Sequence, residues 1–132
     1  MIDSIIVPPS VHIAVAVTLV IVSVVATLVV VLTAVRNRPL SPLAQGLMIL
    51  TQIMLLVQLL IGVKLLDQGM GTIQLYVHYM GGILPIALFL AMRWLPNFER
   101  HQARISAAVM VVTLATVVMT ATIGSAFVRG TL

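Results

Sequence analysis

Apolar residues fall into four long blocks, and the polar residues gather between them. The first block, Val11 to Val35, carries no charge and ends at Arg36-Asn37-Arg38-Pro39. The second runs from Pro42 to Leu66 and is closed by Asp67-Gln68-Gly69-Met70-Gly71. The third spans Ile73 to Trp94, and after the polar connection from Leu95 to Arg104 the fourth spans Ile105 to Val128. A bilayer core about 30 Å thick takes about 20 residues of helix, so each block predicts one membrane-spanning helix. Val, Ile and Thr dominate the first and fourth blocks, a composition that favours strand in water. Uninterrupted apolar length decides for helix, because a helix satisfies its own backbone groups in lipid. The short connections predict antiparallel neighbours, hence an all-α, up-and-down four-helix bundle forming one membrane domain over residues 1–132. Ser10 is placed to cap the first helix, and Pro85 to kink the third.

Composition agrees. Of the 132 residues 61% are hydrophobic and 8% charged, and mean hydropathy is +1.23. A soluble domain carries roughly a quarter charged residues, so a water-soluble globule and a disordered chain are both excluded. With no cysteine, disulfides, thiolate metal sites and thioether-bound haem are excluded too. The net charge of +4 does not indicate nucleic acid, which needs a clustered basic face. Arg36, Arg38, Arg93, Arg100 and Arg104 follow blocks one and three, while the opposite side holds Lys64 and Arg129. The positive-inside rule then puts both termini outside the cell inner (cytoplasmic) membrane, as a multi-pass protein. The first block has no basic leader and is longer than the roughly 7–15 residues of a signal-peptide core, so it is expected to stay in the protein.

Ionisable groups within a span are costly and are functional candidates by default. His12 opens the first helix, and His78 lies early in the third, within QLYVHYMGG. Both helices run from outside to inside, which sets the two imidazoles at similar depth near the outer face. Histidines on facing helices of a bundle can supply two axial ligands to a haem iron; each alone is equally a hydrogen-bonding residue between helices. Gly81 and Gly82 follow His78 by three and four residues, on the same helix face, and could form a shelf for a flat macrocycle or a close helix contact. Lys64 and Arg129 could neutralise haem propionates or snorkel to headgroups. Tyr79 adjoins His78 and could reach the same pocket or join an interfacial aromatic belt. Gln58 could serve a quinone or proton path, or hold helices together. Met80 is the methionine nearest this site in sequence, and His101, flanked by Arg100, reads as a loop residue on the other side. There is no hydrolase triad, phosphate loop or metalloprotease helix, and no membrane-embedded charge of the kind transporters use.

The order of features in VHIAVAVTLVIVSVVATLVVVLTAVRNRPLSP, then ILTQIMLLVQLLIGVKLLDQGMG, then LYVHYMGGILPIALFLAM resembles one four-helix half of the haem A synthase family. His12 and His78 match that family's haem-ligand positions, Gln58 with Gly62 match its middle helix, and IGSAFVRG is similar to its glycine-and-arginine helix end. The family's carboxylate and arginine around the first histidine are replaced by Pro9 and Ile13, and its outer-loop cysteines are absent. The resemblance therefore implies a single b-type haem, or the scaffold alone, rather than haem hydroxylation.

Three functions follow as expectations. The first is a small membrane protein binding haem b through His12 and His78, for electron transfer or haem handling in a respiratory or photosynthetic complex. The second is a cofactor-free accessory subunit of a larger membrane complex. The third is a haem A synthase-like enzyme acting as a homodimer. Partners expected in every case are the lipid bilayer and a larger membrane assembly or a second copy of the chain, and no nucleic acid.

Overall fold

The computed structural model describes residues 5–70 and 76–129. Four helices form: α1 (Pro9–Val35), α2 (Pro42–Asp67), α3 (Tyr76–Ala91), continued by a 3₁₀ turn over Met92–Trp94, and α4 (Phe98–Val128). No strand occurs among the described residues. Each of the four spans is long and apolar enough to cross a membrane. The expected start of the third span, at Ile73, lies outside the described residues.

Local chemistry explains the helix ends. α1 begins at Pro9, with Pro8 as its cap residue and no side-chain cap. Ser10 is thus inside the helix rather than capping it, because proline at the first helical position is already set for helix and lacks the N–H a cap would satisfy. α1 closes on Asn37, whose φ is 51°. There the Asn37 N–H donates to Ala34 O and the Arg38 N–H to Thr33 O, a paired closure that needs a left-handed residue. α2 opens on Ser41, whose Oγ accepts from the Ala44 N–H at 3.2 Å, and closes in the same way on Gly69 at φ 74°. α4 begins at Phe98, seven residues before the expected Ile105, with Asn97 at φ 60° ahead of it and a break at His101 (φ −117°, ψ 19°). Part of the polar connection, Phe98 to His101, is therefore an extra helical turn, joined to the membrane span across a kink.

Cross-helix contacts set the topology. His12, early in α1, meets Gln58, late in α2, and His78, early in α3, meets Thr120, late in α4. Thr27 near the middle of α1 donates to Met110 O of α4 at 3.2 Å. Consecutive helices are thus antiparallel, as the short connections require. α1 and α4 pack most closely and α2 and α3 least, so the ring of helices has one loose seam. The buried residues of α1 and α4 include small and hydroxyl side chains, among them Ser23, Ala26, Thr27, Ala107 and Thr113, of the kind that let membrane helices approach. The hydroxyls of Ser23, Ser106 and Thr113 are buried without partners. Large apolar side chains such as Leu28, Leu60 and Leu90 stand on the outside, where a lipid bilayer covers them.

Candidate functional site

The loose seam between α2 and α3 opens into a cavity of about 90 Å³. Among its lining residues are His12, Gln58, His78, Tyr79, Gly81 and Gly82. Residues 66 apart in sequence are thereby joined: the rings of His12 and His78 have centroids 6.3 Å apart and planes inclined by 57°. Tyr79 meets His78 edge-on at 5.7 Å.

Each imidazole is held by the helix that packs against its own. The carbonyl of Thr120 can only accept, so His78 Nδ1, 3.0 Å away, carries the ring proton, and Nε2 keeps its lone pair. This is how ligating histidines are commonly oriented, with the non-ligating nitrogen bonded to a carbonyl. On the other side Gln58 Nε2 lies 3.1 Å from His12 Nε2, and with the amide placed this way it can donate to an unprotonated Nε2. His12 Nδ1 and Gln58 Oε1 are both buried without partners. Turning the Gln58 amide over would let Oε1 accept from a protonated Nε2 and leave Nδ1 as a lone pair. The contact supports either tautomer.

A glycine lies beside each ring, in ordinary contact distance at Gly62 and tightly only at Gly124. A Cβ at Gly62 would lie 3.5 Å from His12 Cε1, and one at Gly124 would lie 3.2 Å from His78 Cε1. The two histidines therefore have matching supports: a polar partner (Gln58, Thr120) and, four residues on, a glycine (Gly62, Gly124). Gly81 and Gly82 play different parts. A Cβ at Gly81 would meet Thr120 Cγ2 at 2.5 Å, which makes it a close contact with α4, whereas one at Gly82 meets nothing within 4 Å. Pro85, one turn on and buried within α3, has no N–H, so the Gly81 carbonyl lacks its usual helical donor.

The two cations at the histidine end of the bundle are engaged elsewhere. Lys64 Nζ bonds Asp67 Oδ2 at 2.7 Å, and the Arg129 guanidinium folds back onto the carbonyl and hydroxyl of Ser125. Neither lines the histidine cavity. Met80 is 62% exposed and does not line it either. His101 stands at the opposite end of the bundle, in a cup with Arg100 and Arg104. Thr120 and Gly124 complete the site without having been singled out as its members in the sequence. Their spacing on α4, the same as that of Gln58 and Gly62 on α2, is the signal that could have found them.

Two imidazoles on opposite sides of one metal, each with a metal–nitrogen bond of about 2.0–2.1 Å, have ring centres roughly 6 Å apart. Among the described residues no group of three or more His, Cys, Asp or Glu side chains could hold a metal ion. A metal between these rings would therefore have two imidazole ligands and take the rest from other groups, such as water or a macrocycle. The 90 Å³ of this cavity is well below the roughly 300–1,000 Å³ of common ligand pockets, so a macrocycle would be admitted only if the α2–α3 seam parted further. Comparison of the chain with protein-family models, with curated proteins and with solved structures gives no match.

Proposed function

We propose that this four-span protein binds one haem b between His12 and His78 and serves electron transfer in the cytoplasmic membrane, with both termini on the outer side. The observation that carries the reading is the 6.3 Å separation of the two rings, the spacing of opposed axial ligands. The orphaned His12 Nδ1, the uncommitted Nε2 of His78 and the open space over Gly82 support it. When bound, haem supplies a one-electron couple; two protein ligands leave no open position for oxygen chemistry. His78 is oriented by the Thr120 carbonyl and His12 by Gln58. The apolar walls contributed by Leu19, Leu55 and Val117 exclude water and so influence the potential.

A reduced-minus-oxidised optical spectrum of the purified protein tests this. Haem bands that disappear in a His12→Ala, His78→Ala double variant are expected; a spectrum without bands, or bands indifferent to both substitutions, refutes it. One observation favours a second reading. The pairs His12–Gln58 and His78–Thr120 tie α1 to α2 and α3 to α4 with no third group, as a cofactor-free accessory subunit of a larger complex would require. Colourless protein co-purifying with a stable membrane partner would establish that alternative.

A further inference from the structure

The end of the bundle opposite the histidines is basic and concave. A cup of about 400 Å³ lies between the α1–α2 turn and the start of α4, lined by Asn37, Arg38, Glu99, Arg100, His101 and Arg104 among others. Asn37, fixed in the left-handed turn that ends α1, accepts from Arg104 Nη2 at 2.7 Å, which anchors one guanidinium at the cup's edge. Three arginines face one glutamate, and Glu99 forms no ion pair with any of them: among the described residues the one salt bridge is Lys64–Asp67, at the other end of the bundle.

The cup does not stop at the polar end. It shares Ala34, Asn37 and Arg104 with an open groove of about 360 Å³ that continues between α1 and α4 along Val31, Val35 and Ala107. Val35 is 72% exposed. A basic cup running directly into an apolar groove on a lipid-facing surface has the chemistry of a molecule with an anionic head and a hydrocarbon tail.

We propose that this composite is a binding site for an anionic phospholipid. Its phosphate is received by Arg38, Arg100 and Arg104, and one acyl chain lies along Val31 and Val35. Guanidinium groups match phosphate oxygens in geometry and charge, and basic pockets between membrane helices on the cytoplasmic side take such headgroups. The continuous groove favours a lipid over a free phosphate ion, which would use the cup alone. The inference is independent of any cofactor at the histidine pair.

Native mass spectrometry of the full chain, released from micelles containing either dioleoyl phosphatidylglycerol or dioleoyl phosphatidylcholine, tests the proposal. A 1:1 adduct selective for phosphatidylglycerol is expected. With each surface arginine contributing about 1 kcal/mol toward anionic lipid, an Arg38→Gln, Arg104→Gln double variant should bind it roughly 30-fold more weakly. The charge-matched Arg36→Gln, Arg93→Gln variant, altered outside the cup, should keep the preference. Val35→Trp, at an exposed position that folding tolerates, fills the groove with every charge intact and should also weaken the adduct. Equal retention of both lipids overturns the proposal. So does an equal loss in the two arginine double variants, which would mark a diffuse charge effect, or displacement of the lipid by millimolar inorganic phosphate, which would assign the cup to a free anion.

Discussion

Gly81 and Gly82 are neighbours on α3, yet a methyl group added to each meets opposite surroundings. At Gly81 it would lie 2.5 Å from Thr120 Cγ2 and 3.0 Å from Met119 Cε; at Gly82 nothing stands within 4 Å. The Met119 methyl ends a flexible chain and can swing away. Thr120 cannot do so freely, because its hydroxyl donates to Val117 O at 3.0 Å and its carbonyl receives the His78 ring at 3.0 Å. Relief at Gly81 therefore requires α3 and α4 to part, and overpacking of this kind costs about 1–3 kcal/mol. The gain in helix propensity on replacing glycine by alanine returns at most about 1 kcal/mol. Gly81→Ala should then lose about 1–2 kcal/mol, while Gly82→Ala should be neutral or up to about 1 kcal/mol more stable. Unfolding by sodium dodecyl sulfate in mixed micelles, followed by helical ellipticity, measures both. Gly81→Ala as stable as the parent, or equal shifts in the two variants, would refute the placement of Gly81 against Thr120.

Gln58→Leu removes the hydrogen-bond partner of His12 Nε2 and leaves a part-buried imidazole with no partner on either nitrogen, a loss of about 1–2 kcal/mol in the same titration; unchanged stability would show that the contact contributes nothing. Gln68 clasps the chain ahead of α1, accepting from the Val7 N–H at 2.8 Å and donating to Val7 O at 2.9 Å. In Gln68→Ala the Val7 amide should lose its hydrogen-exchange protection while global stability changes by less than about 1 kcal/mol, because only a terminal segment is released. Protection that persists would mean that something other than this clasp holds the segment.

Much of the fold is legible along the chain because lipid imposes so few solutions. Apolar length alone marks four helices, and the turn at Asn37 and the cap at Ser41 fall where the polar breaks are. The misplaced start of α4 is equally instructive. Five of the seven residues 98–104 are polar, and polarity separates membrane from water without separating helix from loop, so the extra turn before the His101 kink carries no hydropathy signal.

The site is legible only in part, for a different reason. His12 and His78 stand out because each is a rare ionisable group in an apolar helix, and antiparallel topology puts them at one level. The role of Lys64 and Arg129 at that level depends on rotamers and close partners, and those partners, Asp67 and Ser125, are local. What supports the rings depends on the register of one helix against the next. Gln58 and Gly62 under His12, and Thr120 and Gly124 under His78, become a matched pair of cradles only once α2 is laid on α1 and α4 on α3. A side chain as small as glycine and a main-chain carbonyl leave almost no trace in an apolar sequence. The repetition of polar group and glycine four residues apart is therefore the most informative feature of the two supporting helices. It assigns α2 and α4 one shared task, holding a ring presented by the helix before each, and it makes the gap between the two rings a product of both halves of the bundle.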